Sequence, residues 1–143
     1  MITIKYISNS ADETFTIAQR FADMLTANEK ILLYGELGSG KTLFIKGLAA
    51  GFGMLNYNEV SSPSFVLIKE YHIKTVILYH VDLYRIADND EYFYKDIDEL
   101  IRSDDLVAIE WAEKLKETAF PHIKIHLEYL NETSRLITIT QLH

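Results

Sequence analysis

The stretch Ile31-Leu32-Leu33-Tyr34-Gly35-Glu36-Leu37-Gly38-Ser39-Gly40-Lys41-Thr42-Leu43 decides how this chain is read. It begins as a short continuous apolar run ending in glycine, which suits a buried central strand. Residues 35–42 then match the pattern G-x-x-x-x-G-K-[ST] in full. Each fixed position has a physical reason. Glycines let successive backbone N–H groups turn inward as an anion nest, where a Cβ would clash. A helix opening near Lys41 points its positive end at bound phosphates. Lys41 carries a mobile charge to the β- and γ-phosphates, and the Thr42 hydroxyl reaches a magnesium ion. The strand before the loop and the helix after it are the setting this motif requires. A phosphate cradle for a magnesium nucleotide, ATP or ADP, is therefore expected along residues 35–43.

Such a cradle needs an acidic residue at the end of a neighbouring strand. Two apolar runs end in one. Residues 76–81 lead into Asp82, and residues 106–109 lead into Glu110. Magnesium takes few protein ligands, so one carboxylate beside Thr42 suffices. The second would be free to orient or activate a water for attack on the γ-phosphate. Which acid takes which task stays open, and either could simply cap the turn that follows it. The expected catalytic set is Lys41, Asp82 and Glu110, and the expected metal set is Thr42, Asp82 and Glu110.

Outward from the loop, residues 2–7 alternate like a half-buried strand, and Ser10 with Glu13 forms a helix-opening pair. Phe15, Ala18, Phe21, Ala22 and Leu25 follow at helical spacing. The helix after the loop should run over residues 41–50, with Gly51 and Gly53 as stop signals. Runs over 64–73 and 75–81 predict an antiparallel hairpin. Within the acidic segment 88–105, Phe93, Ile97, Leu100 and Ile101 make an amphipathic helical stripe. A small helix is expected over 112–118. Ile123, Ile125, Leu127 and Tyr129, then residues 136–142, predict a second hairpin around the turn at 131–134.

These elements add up to an α/β chain, a three-layer P-loop NTPase fold with a mixed central sheet of about seven strands. A length of 143 residues fits a single domain spanning 1–143. The formal charge of −7 leaves no basic stripe, which disfavours strong direct binding to nucleic acid. There is no cysteine, so disulfides and thiolate zinc sites are excluded. No signal-like or membrane-length apolar run occurs, and a cytoplasmic protein is the expectation. The five histidines are scattered and read as structural.

Four motifs together are more specific than the loop: residues 35–42, Ser62-Pro63-Ser64-Phe65, His80-Val81-Asp82-Leu83-Tyr84-Arg85, and Ile109-Glu110-Trp111-Ala112-Glu113. In this order they resemble the TsaE family, small bacterial P-loop ATPases, over nearly the whole chain. That resemblance implies an accessory ATPase for the threonylcarbamoyl modification of tRNA adenosine-37. It implies a TsaD–TsaB partner complex that holds the transferase chemistry and is reset by ATP turnover. It further implies magnesium near Thr42 and Glu110, with Asp82 as the Walker B-like acid, and the segment Ser62–Phe65, which includes Ser64, as a switch loop near the γ-phosphate. Adenine-side contacts are implied around Ala11 to Thr14 and from the Thr133–Arg135 turn. The family's Ser-Pro-Thr reads Ser-Pro-Ser here, which keeps the hydroxyl but loses χ1 stiffness. Asp96 stands where relatives often carry glycine. Arg85 is open between γ-phosphate sensing and a salt bridge, and Trp111 between the site and the core.

Two further functions share the loop. A small P-loop kinase would need an acceptor pocket and an arginine-bearing lid, yet the four arginines are unclustered. A nucleotide-gated binding module would need occupancy without turnover. No Asn-Lys-x-Asp guanine-reading motif is present.

Overall fold

The computed structural model describes residues 1–63 and 67–142. The apolar run before the loop is strand β2 (Lys30–Tyr34), with Ile31, Leu32 and Leu33 fully buried. It lies in the middle of a seven-stranded sheet ordered β1-β7-β6-β2-β5-β4-β3. The other strands are β1 (Ile2–Ser8), β3 (Ile68–Ile73), β4 (Val76–Asp82), β5 (Leu106–Glu110), β6 (His122–Tyr129) and β7 (Arg135–Leu142). β2 pairs parallel with both β5 and β6, and β4 pairs parallel with β5. The antiparallel pairs are β1 with β7, β6 with β7, and β3 with β4. The mixed sheet of the sequence reading is the one observed, with a parallel centre and antiparallel flanks.

Alternation along the central strands divides the core in two. Ile31 and Leu33 of β2 and Ala108 of β5 face the helices α1 (Ala11–Phe21) and α2 (Lys41–Gly51). Leu32, Val107 and Ile109 face the opposite layer, where Ile97 of α3 (Glu91–Arg102) is buried. These are the three layers. The two helices of the first layer cross closely because the crossing is built from small residues. A Cβ on Gly47 would lie 2.7 Å from the Ala18 Cβ and 2.5 Å from the Phe15 carbonyl oxygen. This crossing holds the start of α1 beside the loop between β2 and α2.

The helix signals act as their chemistry predicts. The Ser10 hydroxyl caps α1 by accepting from the Glu13 N–H at 3.1 Å, and Asp90 caps α3 by accepting from Phe93 N–H at 3.0 Å. Between the first two strands of the second half, Lys74 takes a positive φ of 54° in the tight β3–β4 turn. The predicted strand from 64 starts only at Ile68 within the described residues.

One element differs. The helix expected over 112–118 is a single 3-10 turn, Ala112–Lys114. Its first flanking residue, Trp111, sits at a left-handed φ of 59° and supplies no capping oxygen. Its far end is held by tertiary bonds instead. The Lys114 ammonium donates to the Ile86 carbonyl at 2.7 Å, and Leu115 turns extended to pack on the second core. Local propensity over one turn is too weak to resist this. Among the described residues no helix is long and apolar enough to cross a membrane.

Candidate functional site

All three parallel strands that matter to the site end at one edge of the sheet, where the loop from β2 turns into α2. Gly35, Gly38 and Gly40 take φ of 148°, 77° and 110°, a left-handed region that favours glycine. A Cβ at Gly35 would meet the Ser39 Oγ at 2.5 Å and the Leu127 carbonyl at 2.7 Å. The Leu37 carbonyl accepts from the Tyr129 hydroxyl at 2.9 Å, and the Ser39 carbonyl accepts from Arg135 Nε at 3.3 Å. The loop is therefore pinned to the β6–β7 hairpin. Gly40 is the N-cap of α2 and offers no side-chain cap, unlike Ser10 and Asp90 on the other two α-helices. The first N–H groups of α2 are left pointing along the helix axis into the loop.

Lys41 is nearly buried, and its ammonium donates to the Gly35 carbonyl at 2.7 Å and the Glu36 carbonyl at 2.9 Å. It also lies 4.2 Å from the centre of the Trp111 ring. Burial pushes its pKa below the ordinary lysine value, while Glu110, Glu113 and Asp82 pull it partly back up.

The two acids end adjacent strands, with Asp82 and Glu110 directly opposite each other in the β4–β5 register. Both are buried. Their partners differ. The Thr42 hydroxyl donates to Oε1 and Oε2 of Glu110, each at 2.9 Å. Asp82 accepts from the Ser62 hydroxyl at 2.7 Å and from the Tyr84 N–H at 2.9 Å. β5 is the neighbour of β2 and β4 is one strand further out, so Glu110 is the acid beside Thr42.

A cleft of about 560 Å³ is lined by Lys41, Thr42, Ser62, Asp82, Arg85 and Glu110. Trp111 also lines it and stacks on Tyr84 with ring centres 4.9 Å apart, so this tryptophan belongs to the site rather than to the core alone. A second cleft, about 400 Å³, contains Ala11, Thr14, Thr133 and Arg135. Both clefts share Gly38, Gly40 and Leu43, so they open on the two flanks of one loop.

The model of the family described as "Threonylcarbamoyl adenosine biosynthesis protein TsaE" matches residues 8–137. The chain belongs to the TsaE family. It is 36% identical over 134 residues to the tRNA threonylcarbamoyladenosine biosynthesis protein TsaE of Rickettsia felis, covering 93% of this chain and 77% of that one. The Aquifex aeolicus protein of the same name is 36% identical over 133 residues, 93% of this chain and 92% of that one. Among solved structures, the crystal structure of Bacillus subtilis YdiB superposes with a TM-score of 0.79 at 29% identity. That match covers 99% of this chain and 87% of that one.

In this TsaE chain the expected residues fall into three groups. Lys41, Thr42, Asp82 and Glu110 converge on the first cleft, and Leu43 lines both. Gly38 and Gly40 form the wall between the clefts, while Ser39, Ala11 and Thr133 line the second. Gly35 and Glu36 face Lys41 through their carbonyls, and the Leu37 side chain is exposed. Ser64 lies outside the described residues. Two contacts go beyond what was expected of their residues, Ser62 as the start of the switch segment and His80 as a structural histidine. Ser62 and His80 both touch the acids, Ser62 on Asp82 and His80 on Glu110. The signal for His80 was its position two residues before Asp82, which puts both on one face of β4.

Proposed function

We propose that this protein is a magnesium-dependent ATPase that serves the threonylcarbamoyl modification of tRNA adenosine-37 by acting on a TsaD–TsaB-type complex. The carrying observation is the Thr42–Glu110 contact at the foot of an uncapped helix. It joins a hydroxyl and a carboxylate where a phosphate cradle needs a cation.

The residues fit the group. Magnesium keeps several waters and takes one or two carboxylates plus substrate phosphates. Among the described residues no cluster of three or more acids or histidines would hold a metal by itself. A hydroxyl and a single neighbouring carboxylate are what such a shared site uses. Bound magnesium would neutralise charge on the β- and γ-phosphate oxygens.

The chain's own residues divide the remaining work. Backbone N–H groups of residues 38–43 hold the phosphate oxygens. Lys41 exchanges its two carbonyl partners for phosphate oxygens, a stronger charge-assisted pairing. Thr42 and Glu110 face the cation. Asp82, oriented by Ser62 and the Tyr84 N–H, receives the proton of the attacking water. Ala11, Thr14 and Thr133 receive the adenine end on the other flank of the loop.

Hydrolysis inside an open cleft of a small acidic chain is useful only if something reads the nucleotide state. The TsaD–TsaB complex is the partner that the family relationship supports, and it would also bring the transferase site and the tRNA surface. Affinity capture with this protein as bait should retain TsaD and TsaB homologues in a manner that changes between ATP and ADP. Equal or absent retention in every nucleotide state contradicts the partner reading.

A further inference from the structure

Glu110 has three side-chain torsions, and strand pairing fixes only its backbone, opposite Leu33 on one side and Asp82 on the other. Something must choose which carboxylate oxygen faces the cleft. Thr42 does not, because its hydroxyl lies 2.9 Å from both oxygens. His80 does. Its Nε2 is 2.5 Å from Oε2 and from no other Glu110 atom within hydrogen-bond reach.

His80 is itself enclosed. Its side chain is 0% exposed, it sits in the β4–β5 register opposite Ala108, and its ring lies 6.2 Å from that of Tyr71. A carboxylate oxygen only accepts, so the proton of this bond is on Nε2. The other ring nitrogen, Nδ1, is buried and has no hydrogen-bond partner among the described residues. A histidine kept in the core for packing alone gains nothing from a buried, unmatched Nδ1. The bond to Glu110 is the compensation.

We infer that His80 is a positioning residue that locks Oε2 of Glu110 and leaves Oε1 as the oxygen presented to the magnesium site. This rests on the ATPase reading for the identity of the cation, and on the His80–Glu110 contact for the geometry. Residues that orient a metal-facing carboxylate through a hydrogen bond are worth about 10–100-fold in metal affinity or activity.

Two replacements separate positioning from packing. His80→Phe keeps a ring and removes the donor, whereas His80→Gln keeps a donor near the position of Nε2. Three quantities should be read on each purified protein: ADP affinity in EDTA, Mn2+ affinity of the ADP-loaded protein, and ATP turnover. Both variants should bind ADP in EDTA within about twofold of wild type, because the loop is untouched. His80→Phe should lose about tenfold or more in Mn2+ affinity and turnover, and His80→Gln should recover most of that loss. A folded His80→Phe protein with wild-type Mn2+ affinity overturns the inference.

If His80→Phe fails to fold, the imidazole proton of the wild-type protein decides. It should appear downfield and slow to exchange by NMR, and should move in a Glu110→Gln variant. Its insensitivity to Glu110→Gln overturns the inference equally. A wild-type protein that binds neither ADP nor Mn2+ instead sinks the functional reading, and the role assigned to His80 with it.

Discussion

The hydroxyl of Thr42 donates to both carboxylate oxygens of Glu110, across 68 residues of sequence. One residue lies in the first turn of α2 and the other ends β5, so the contact ties the phosphate loop to the neighbouring strand. Thr42→Val removes the hydroxyl at nearly constant volume. It should leave ADP affinity in EDTA close to wild type and abolish most of the gain that magnesium gives. The comparison of ADP titrations with and without magnesium checks this, and an undiminished magnesium effect would count against the assignment.

Burial depresses the pKa of Lys41, and this gives a pH signature. Bound phosphates would hold the proton on, so the pKa is higher in the complex than in the free protein. Nucleotide affinity is then full below the free-state pKa and falls as pH rises towards the bound-state value. The fall should begin at a lower pH than an ordinary lysine would cause. Emission from Trp111, the single tryptophan and 4.2 Å from Lys41 Nζ, can follow the titration. Lys41→Met should bind more weakly and lose this pH dependence.

Ser62 donates to Asp82 Oδ2 at 2.7 Å, which couples the segment before residue 64 to the acid. Ser62→Ala should lower kcat by about tenfold, a part of the roughly 10²–10⁴-fold that a positioned proton acceptor contributes. ADP affinity should stay close to wild type, because among the described residues the Ser62 hydroxyl is bonded to Asp82 and not to the phosphate loop. A rise in KM with constant kcat would place Ser62 in substrate binding instead.

Lys30 is a structural counterpart to Lys41. Its buried ammonium donates to the carbonyls of Asn28, Ser103 and Asp105, which fastens the end of α3 to the start of β2. Lys30→Met leaves those carbonyls unmatched and should cost about 2–3 kcal/mol of stability. Urea unfolding should show a lower midpoint at an unchanged slope.

Much of this site could be read from the sequence because its signals are local. The loop glycines, Lys41 and Thr42 are fixed by a pattern of eight residues, and Asp82 and Glu110 by the apolar runs before them. What the chain alone could not give is the strand order. Glu110 stands beside Thr42 only because β5 pairs with β2, while β4 lies one place further out. His80 stayed hidden for a related reason. A lone histidine inside an apolar β run looks like core until the strand across from it supplies Glu110. The misjudged helix after Trp111 shows the limit of propensity, since bonds from Lys114 to a distant loop decide that short segment.

The central claim is that the cleft between Lys41, Asp82 and Glu110 hydrolyses ATP with magnesium. Phosphate release from the purified protein mixed with its TsaD–TsaB homologues tests it most directly. Wild type should release phosphate in a magnesium-dependent way, and Asp82→Asn should be slower by about 100-fold or more while still binding nucleotide. Release by Asp82→Asn at the wild-type rate, or none from wild type with the partners present, would contradict the account.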